Sequence, residues 1–340
     1  MKTILIISTC PFIGGGERFI ETTLLPLGED YHIVGLVMNE QLAAKIPDCL
    51  LFKRKNFLFQ VAESKLAIER IHPDLIVLNG GSALYMAPYL KGRKVAIRHT
   101  TNEAVSGAFK RGLYRMLLRQ TYLNVDVTVH VSHYAARQQH IGKREVILNG
   151  IKIRPPRTAF YEGVSGPLRV LYCGRMEPEK GVRTLVEAVK SYPEQQIVLD
   201  LVGTGSLLPW LESLHVPNIH VHGFQQDVAP FYERADVYAQ LSDFENCPLS
   251  VLDAMNHSLP SLIYPNGGLC EMIGSYEEGV YCRPQKESVE AQLGHFMRNP
   301  EQLREMGLKA HERCAAIYDI EQAKLRYKQL FDSLLHENRD

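Results

Sequence analysis

Eleven short apolar runs alternate with helical patterns along the whole chain, and that alternation leaves few folds open. KTILIIS, HIVGLVM, DLIVLN, KVAIRH, DVTVHVS and EVILN occupy the first half, and RVLYCG, IVLDLVG, IHVHG, VYAQL and PSLIY the second. Continuous Val, Ile and Leu, rather than polar and apolar residues in turn, suit strands buried on both faces of a parallel sheet that helices cover. The pattern is laid down twice. Between the two sets, IKIRPPRTAFYEGVSGP (151–167) holds three prolines and two glycines without periodicity, which reads as a linker between domains. The expected fold is therefore α/β with two Rossmann-like domains, 1–157 and 158–319, followed by an amphipathic helix over 320–338.

The 340 residues, 45% hydrophobic and 22% charged, suffice for two cores of ordinary size and exclude a disordered chain or a small stapled scaffold. Seven scattered cysteines with no CxxC pair point to reduced thiols in a cytosolic protein. MKTILIISTCPF has a lysine and an apolar run, but the run lasts only about six residues, so it reads as a buried first strand and not a signal peptide. Nothing approaches the roughly 18 apolar residues of a membrane span, which suggests a cytoplasmic protein attached at most to the inner membrane surface. The zero net charge hides a division: residues 1–157 hold 22 Lys and Arg against 12 Asp and Glu, and the remainder 16 against 26. Either the first domain faces an anionic partner, such as a phospholipid surface, a lipid pyrophosphate or an acidic glycan, or the two domains attract each other across a cleft.

The richest segment for chemistry is FENCPLSVLDAMNHSLPSLIYPNGGLCEMI (244–273). Pro248 marks a helix start, LSVLDAM continues at helical spacing, and Glu245 stands at the mouth of that helix. Helical side chains lean back toward the N-terminus, which would aim Asp253 at the same mouth, where free backbone N–H groups favour an anion. Upstream, in CGRMEPEKGV, Arg175 and Lys180 lie on a strand-to-helix loop from which both side chains reach a diphosphate. Gly14, Gly15 and Gly16 follow the first strand, where backbone comes close to a ligand phosphate or simply turns tightly; the dinucleotide fingerprint GxGxxG is absent. No DxD sequence occurs, and the histidine groups 130/133/140 and 215/220/222 lack a recognisable ligand set, so no metal site is expected.

The combined pattern resembles the family 4 glycosyltransferases, retaining enzymes of the GT-B architecture with two facing Rossmann-like domains and a cleft between them. GGGER (14–18), VSHYAARQ (131–138), ILNGI (147–151), GRMEPEKG (174–181), LVGTGS (201–206), HGF (222–224), ADVYAQLSDFENCPLSVLDAM (235–255) and the glycine pair before Glu271 carry the resemblance. It implies that Arg175 and Lys180 hold the donor diphosphate, that Glu245 contacts sugar hydroxyls and Asp253 the ribose, and that Pro248, Leu249 and Ser250 present helix N-terminal groups near the phosphate. It further implies a base pocket at Gly223 and Phe224, closure of Gly15 and Gly16 over the phosphates, and contact between the transferred sugar and His99, which opens the polar stretch HTTNE. The last helix would cross back onto the first domain. Glu245, His99, Arg175 and Lys180 would then be the catalytic set, with no cofactor beyond the nucleotide-sugar co-substrate and no bridging metal, since positive side chains do that work. Two departures stand out: position 253 is aspartate where the family has glutamate, and ENCP replaces a glycine-rich segment beside the sugar.

What the resemblance implies is transfer of a sugar from a nucleotide diphosphate, UDP favoured over GDP, to a glycan or lipid-linked acceptor in cell-surface polysaccharide or glycolipid synthesis. A nucleotide-sugar 2-epimerase, a glycogen-synthase-like polymerase, or a silent sugar-nucleotide-binding subunit would share the architecture. One further segment bears on partners. AFKRGLYRMLLRQTYLN (108–124) places Phe109, Leu113, Met116 and Leu117 on one helical stripe and Arg111, Arg115 and Arg119 on the other side. The stripe is expected to face the core, leaving the basic back to solvent or to anionic lipid and a lipid-linked pyrophosphate.

Overall fold

The computed structural model describes residues 1–100, 107–161, 163, 166–274 and 277–336. The chain forms two compact units, Met1–Gly150 with Ile320–Asp340, and Ile151–Asp319. In the first unit seven strands, β1 (Thr3–Ser8), β2 (His32–Val37), β3 (Asp48–Leu51), β4 (Leu75–Asn79), β5 (Lys94–Arg98), β6 (Val127–His130) and β7 (Arg144–Val146), form one sheet in the order 3-2-1-4-5-6-7. In the second, β8 (Leu168–Cys173), β9 (Ile197–Val202), β10 (Ile219–Gly223), β11 (Val237–Gln240), β12 (Ser261–Ile263) and β13 (Gly279–Tyr281) run in the order 10-9-8-11-12-13. Every pairing in both sheets is parallel. The two orders follow one plan, with β8 and β11 in the places of β1 and β4, and in each the order reverses beside the first strand. That switch point is where open α/β sheets leave a crevice at the carboxyl ends of their strands.

Parallel strands need crossovers, and here helices supply most of them. In the first unit these are α1 (Gly15–Phe19), α2 (Glu40–Ala43), α3 (Phe57–Ile71), α4 (Ala108–Leu123) and α5 (His133–Arg137), with a tight helical turn over Gly81–Tyr89. The second unit has α6 (Val182–Val189), α7 (Leu208–Glu212), α8 (Ala229–Arg234), α9 (Leu249–Asn256), α10 (Leu269–Ile273), α11 (Lys286–Arg298) and α12 (Pro300–Ile317). Starts follow side-chain chemistry where it is present: Asn56 caps α3 by accepting from Leu58 N at 2.9 Å, and Ser132 caps α5 by accepting from Ala135 N at 3.0 Å. The central strands β1, β4, β5, β8 and β9 are buried along most of their length, in keeping with their mostly apolar runs.

The final helix, α13 (Ile320–His336), packs on the first unit. Its buried Ile320, Ala323, Tyr327, Phe331 and Leu334 recur at helical spacing, Tyr327 meets Phe19 at 5.4 Å, and Tyr31 donates a 2.6 Å hydrogen bond to Asp332. The division falls at 150/151, seven residues before the expected 157/158, because the start of the proline-rich linker is tied to the second unit. Ile151 N donates to Tyr318 O at 2.8 Å, Arg154 N to Asn256 Oδ1 at 3.1 Å, and Arg157 N to Ser258 Oγ at 3.1 Å. Proline content marks where helix and strand stop; it does not say which body the segment lies on.

Helix α4 reverses its expected orientation. Leu118, Thr121 and Tyr122 are the buried residues, Thr121 Oγ1 donates to Leu84 O at 2.8 Å, and Tyr114 stands edge-on to Tyr85 at 6.4 Å. The core face is thus a small aromatic one against the Gly81–Tyr89 turn. The leucine-methionine stripe points outward: Phe109 is 86% exposed, Leu113 47% and Met116 55%, with only Leu117 half-buried.

Candidate functional site

The second unit gathers its chemistry at the carboxyl ends of β8 and β11, beside the switch point. Lys180 follows β8 and Glu245 follows β11; the Lys180 Nζ donates to Glu245 Oε1 at 2.6 Å, with the two side chains 11% and 14% exposed. Gln240, the last residue of β11, donates from Nε2 to the same oxygen at 2.9 Å and to Ser242 Oγ at 2.6 Å, and accepts from Tyr238 OH at 2.6 Å. Burial holds the Tyr238 hydroxyl well above its ordinary pKa, so it stays a donor in this chain of bonds. Tyr172 is protonated for the same reason, with the Glu245 charge adding to burial, and its hydroxyl bonds the Arg175 carbonyl at 2.5 Å, fixing the loop that carries Arg175. Glu245 is therefore an oriented carboxylate whose charge a lysine meets and whose rotamer an amide holds. Such a group is suited to accept hydroxyl hydrogen bonds.

Two close backbone approaches hold the loops that carry Lys180 and Glu245. Gly181, at φ 72°, lets the turn after Lys180 pass Leu241, whose carbonyl oxygen a Cβ would meet at 2.4 Å. A Cβ on Gly268 would lie 1.5 Å from Asn246 O, so the Gly267–Gly268 turn lies directly on the Glu245 segment, to which Gly268 N donates at 2.9 Å. Pro248 takes the N-cap position of α9 with ψ 127°, one residue before the helix it was expected to begin; Leu249 and Ser250 form its first turn. Arg175 is the exposed member, 54% accessible and 3.8 Å from Glu179. Asp253, on α9, is 6% exposed; its charge raises the pKa of Tyr232 and Cys314 after burial has done most of that, and His257 Nδ1 bonds its carbonyl at 2.6 Å. Gly223 has φ 65° and the ring of Phe224 beyond it is exposed.

In the first unit the switch point holds a second constellation. The Asn79 amide donates from Nδ2 to Gly16 O at 3.1 Å, which turns its Oδ1 toward His99 Nε2 at 2.9 Å. That oxygen can only accept, so Nε2 carries the proton and Nδ1 is left as an acceptor. Burial pulls the His99 pKa down to about 4, and Phe19 packs against the ring at 5.1 Å. The imidazole is neutral at pH 7. A Cβ on Gly16 would meet Asn79 Nδ2 at 3.3 Å and the His99 ring at 3.6 Å, whereas Gly15 has open space around it. Glu17 is buried rather than free: it accepts from Ser8 Oγ at 2.9 Å and from Gly14 N at 3.2 Å, locking the glycine turn. Of the stretch HTTNE, residues 101–103 lie outside the described residues.

Sequence reading missed Gln240, Tyr238 and Asn79, buried polar groups inside or at the end of apolar strands whose own pattern hides them, and Glu17, whose carboxylate turns inward from the glycine turn. It also assigned no partner to the 215/220/222 histidines. Asp200, on the neighbouring strand, brings its carboxylate within 4.8 Å of His220 and His222. His222 Nε2 is 2.5 Å from Asp200 Oδ1 and Arg234 Nε 3.9 Å from Oδ2, so the buried charge is balanced by side chains at the sheet edge.

Residues 160–313 match the model of the family described as glycosyl transferases group 1. Over that span, which lies within the second unit, the chain is similar to the glycosyl transferases group 1 family. Over a longer span the chain is 26% identical to the O-antigen biosynthesis glycosyltransferase WbnH of Escherichia coli, across 325 residues that cover 91% of this chain and 94% of that one. It is 24% identical to the alpha-monoglucosyldiacylglycerol synthase of Acholeplasma laidlawii over 231 residues, 61% of this chain and 57% of the relative's length. Among solved structures, Anabaena HepE in complex with UDP-glucose superposes with a TM-score of 0.84 at 17% identity, covering 98% of this chain and 100% of that one. That likeness, with the two parallel sheets, establishes the GT-B type of fold: two Rossmann-like α/β domains.

Proposed function

We propose that this chain is a retaining glycosyltransferase that moves a sugar from a nucleotide diphosphate, preferably UDP, to a glycan or lipid-linked acceptor in cell-surface polysaccharide or glycolipid synthesis. The observation that carries the reading is Glu245, oriented by Lys180 and Gln240 at the switch point of the domain that matches the glycosyltransferase family. HepE binds UDP-glucose, and the relatives include an O-antigen glycosyltransferase and a glycolipid synthase, which favours UDP and a surface glycan or lipid product.

In this reading Lys180 and Arg175 neutralise the charge that develops on the departing diphosphate, without a bridging metal. Lys180 turns from Glu245 toward the phosphate as donor enters, freeing Glu245 for the sugar hydroxyls. Pro248, Leu249 and Ser250 offer the first-turn N–H groups of α9 to phosphate oxygen, Asp253 the ribose contact, and Gly223 with Phe224 the base contact. Within the first unit, Gly15 and Gly16 offer backbone N–H groups to a phosphate, and His99 offers a neutral acceptor at Nδ1 to a sugar hydroxyl. The bond from the anomeric carbon to the phosphate oxygen breaks as the acceptor oxygen bonds to the same face. The acceptor's proton passes to the departing phosphate.

A thermal-shift screen across UDP- and GDP-sugars tests the donor, because a ligand of the folded state raises Tm with ln(1 + [L]/Kd). Product analysis then tests the chemistry. Transfer with retained anomeric configuration, dependent on acceptor and insensitive to chelator, is expected; conversion of donor without acceptor would mean an epimerase, and binding without turnover a silent subunit.

A further inference from the structure

Helix α4 carries a surface that the described residues of its own unit leave exposed. We propose that its outward stripe inserts into an anionic phospholipid bilayer, with the first unit lying on the membrane through this helix. Phe109, Leu113, Met116 and Leu123 recur at helical spacing on the face opposite Leu118, Thr121 and Tyr122, and are 86%, 47%, 55% and 58% exposed. Four large apolar side chains aligned on one exposed face differ from the scattered single ones of an ordinary surface, and mark an interaction site.

Charge chooses the occupant. Residues 108–123 contain Lys110, Arg111, Arg115 and Arg119 and no acid. Arg115 and Arg119 are exposed along the flank of the stripe, and Lys110 on its other side. An apolar ridge with cations on its flanks is the layout of a helix lying in the plane of a lipid interface: side chains enter the acyl boundary while guanidinium groups meet phosphate at headgroup level. A protein partner would have to present both a greasy groove and a rim of acids; an anionic bilayer presents both over its whole area. The excess of positive charge in residues 1–157 adds long-range attraction to the same surface. Because no helix among the described residues is long and apolar enough to cross a membrane, attachment through α4 would be interfacial. The inference stands on α4 alone and does not depend on the donor reading.

The test is co-sedimentation of the full chain with vesicles of phosphatidylcholine alone and with about one-third phosphatidylglycerol, at low and high salt. Wild-type protein is expected to pellet with the anionic vesicles, less so at high salt, and weakly with the neutral ones. Replacing Arg115 and Arg119 with Gln should weaken partitioning about fivefold for each charge removed. Phe109→Ser with Leu113→Ser and Met116→Ser should abolish it, with circular dichroism and the urea midpoint unchanged as proof of folding. Equal recovery with neutral and anionic vesicles, or none with either, overturns the proposal. So does a dimer in sedimentation velocity that the serine variant dissolves, since the stripe would then belong to a second copy.

Discussion

Replacing Lys180 with alanine separates the two jobs the structure gives this side chain. Its ammonium lies 2.6 Å from Glu245 Oε1, and both partners are nearly buried, so truncation leaves a carboxylate whose remaining bond is from Gln240. An under-satisfied buried charge costs about 1–3 kcal/mol of folding stability. If the ammonium also meets the donor diphosphate, the lost charge-assisted contact is worth roughly 1.5 to 3 kcal/mol, which weakens UDP binding about 10- to 150-fold. Calorimetric titration with UDP reads the second effect and urea denaturation the first. The variant Lys180→Ala with Glu245→Gln distinguishes them: glutamine removes the stranded charge and keeps an acceptor for Gln240, so stability should return while affinity stays low. Arg175→Ala, at an exposed position, should weaken UDP binding with little change in stability. UDP affinity within about threefold of wild type in both Lys180→Ala and Arg175→Ala would refute the diphosphate assignment.

Burial holds His130 and His99 at about 4 against an ordinary 6.5, so as pH falls below 6.5 the unfolded chain takes up protons before the folded one. Stability should decline between pH 6.5 and 4, by about 3 kcal/mol at full cost for His130, which is fully buried, and His130→Gln should flatten the slope; equal urea midpoints at pH 7.5 and 5 in the wild type would contradict this. Gly268→Ala must displace the Glu245 segment, since its Cβ falls on Asn246 O, and should lower Tm and UDP affinity together, whereas Gly28→Ala, with nothing within 4 Å, should lower neither. Asp253→Glu adds a methylene to a side chain that is 6% exposed, and should cost about 1–3 kcal/mol of stability with weaker nucleotide binding; a variant as stable and as tight as wild type would show that the pocket still has room for the longer acid.

The central strands were legible because burial on both faces favours mostly apolar runs, as in β1, β4, β5, β8 and β9, where Asp200 of β9 is the one buried charge in mid-strand. The edges were not. β3 reads DCLL and is half-exposed, and β13 has three residues, so neither needs the composition that announces a strand. The same logic governed the site. Glu245, Lys180 and the glycine turns stand in loops, where a charge or a glycine is conspicuous. Gln240 and Asn79 end strands that are otherwise apolar, and their value lies in partners 5 and 63 residues away. A hydrogen bond of that kind leaves no spacing to read.

Helix α4 shows where pattern reading stops on physical grounds. Periodicity identifies which residues share a face, but two faces of an amphipathic helix can both be apolar, and the sequence then offers no sign for inside and outside. Here the inner face is made by Tyr114, Leu118, Thr121 and Tyr122, with Thr121 satisfied by its bonds to Leu84 and Leu117 carbonyls. That side can be buried with a hydroxyl in it, and Phe109, Leu113 and Met116 are then left to solvent. A helix whose more hydrophobic face points away from its own core loses stability in water unless something else covers that face. An uncovered stripe is what binding to a surface exploits, because the apolar area is removed from water at the interface instead of on folding. The charge pattern on the same helix, four cations and no acid, therefore bears on what covers the stripe and not on how the helix packs.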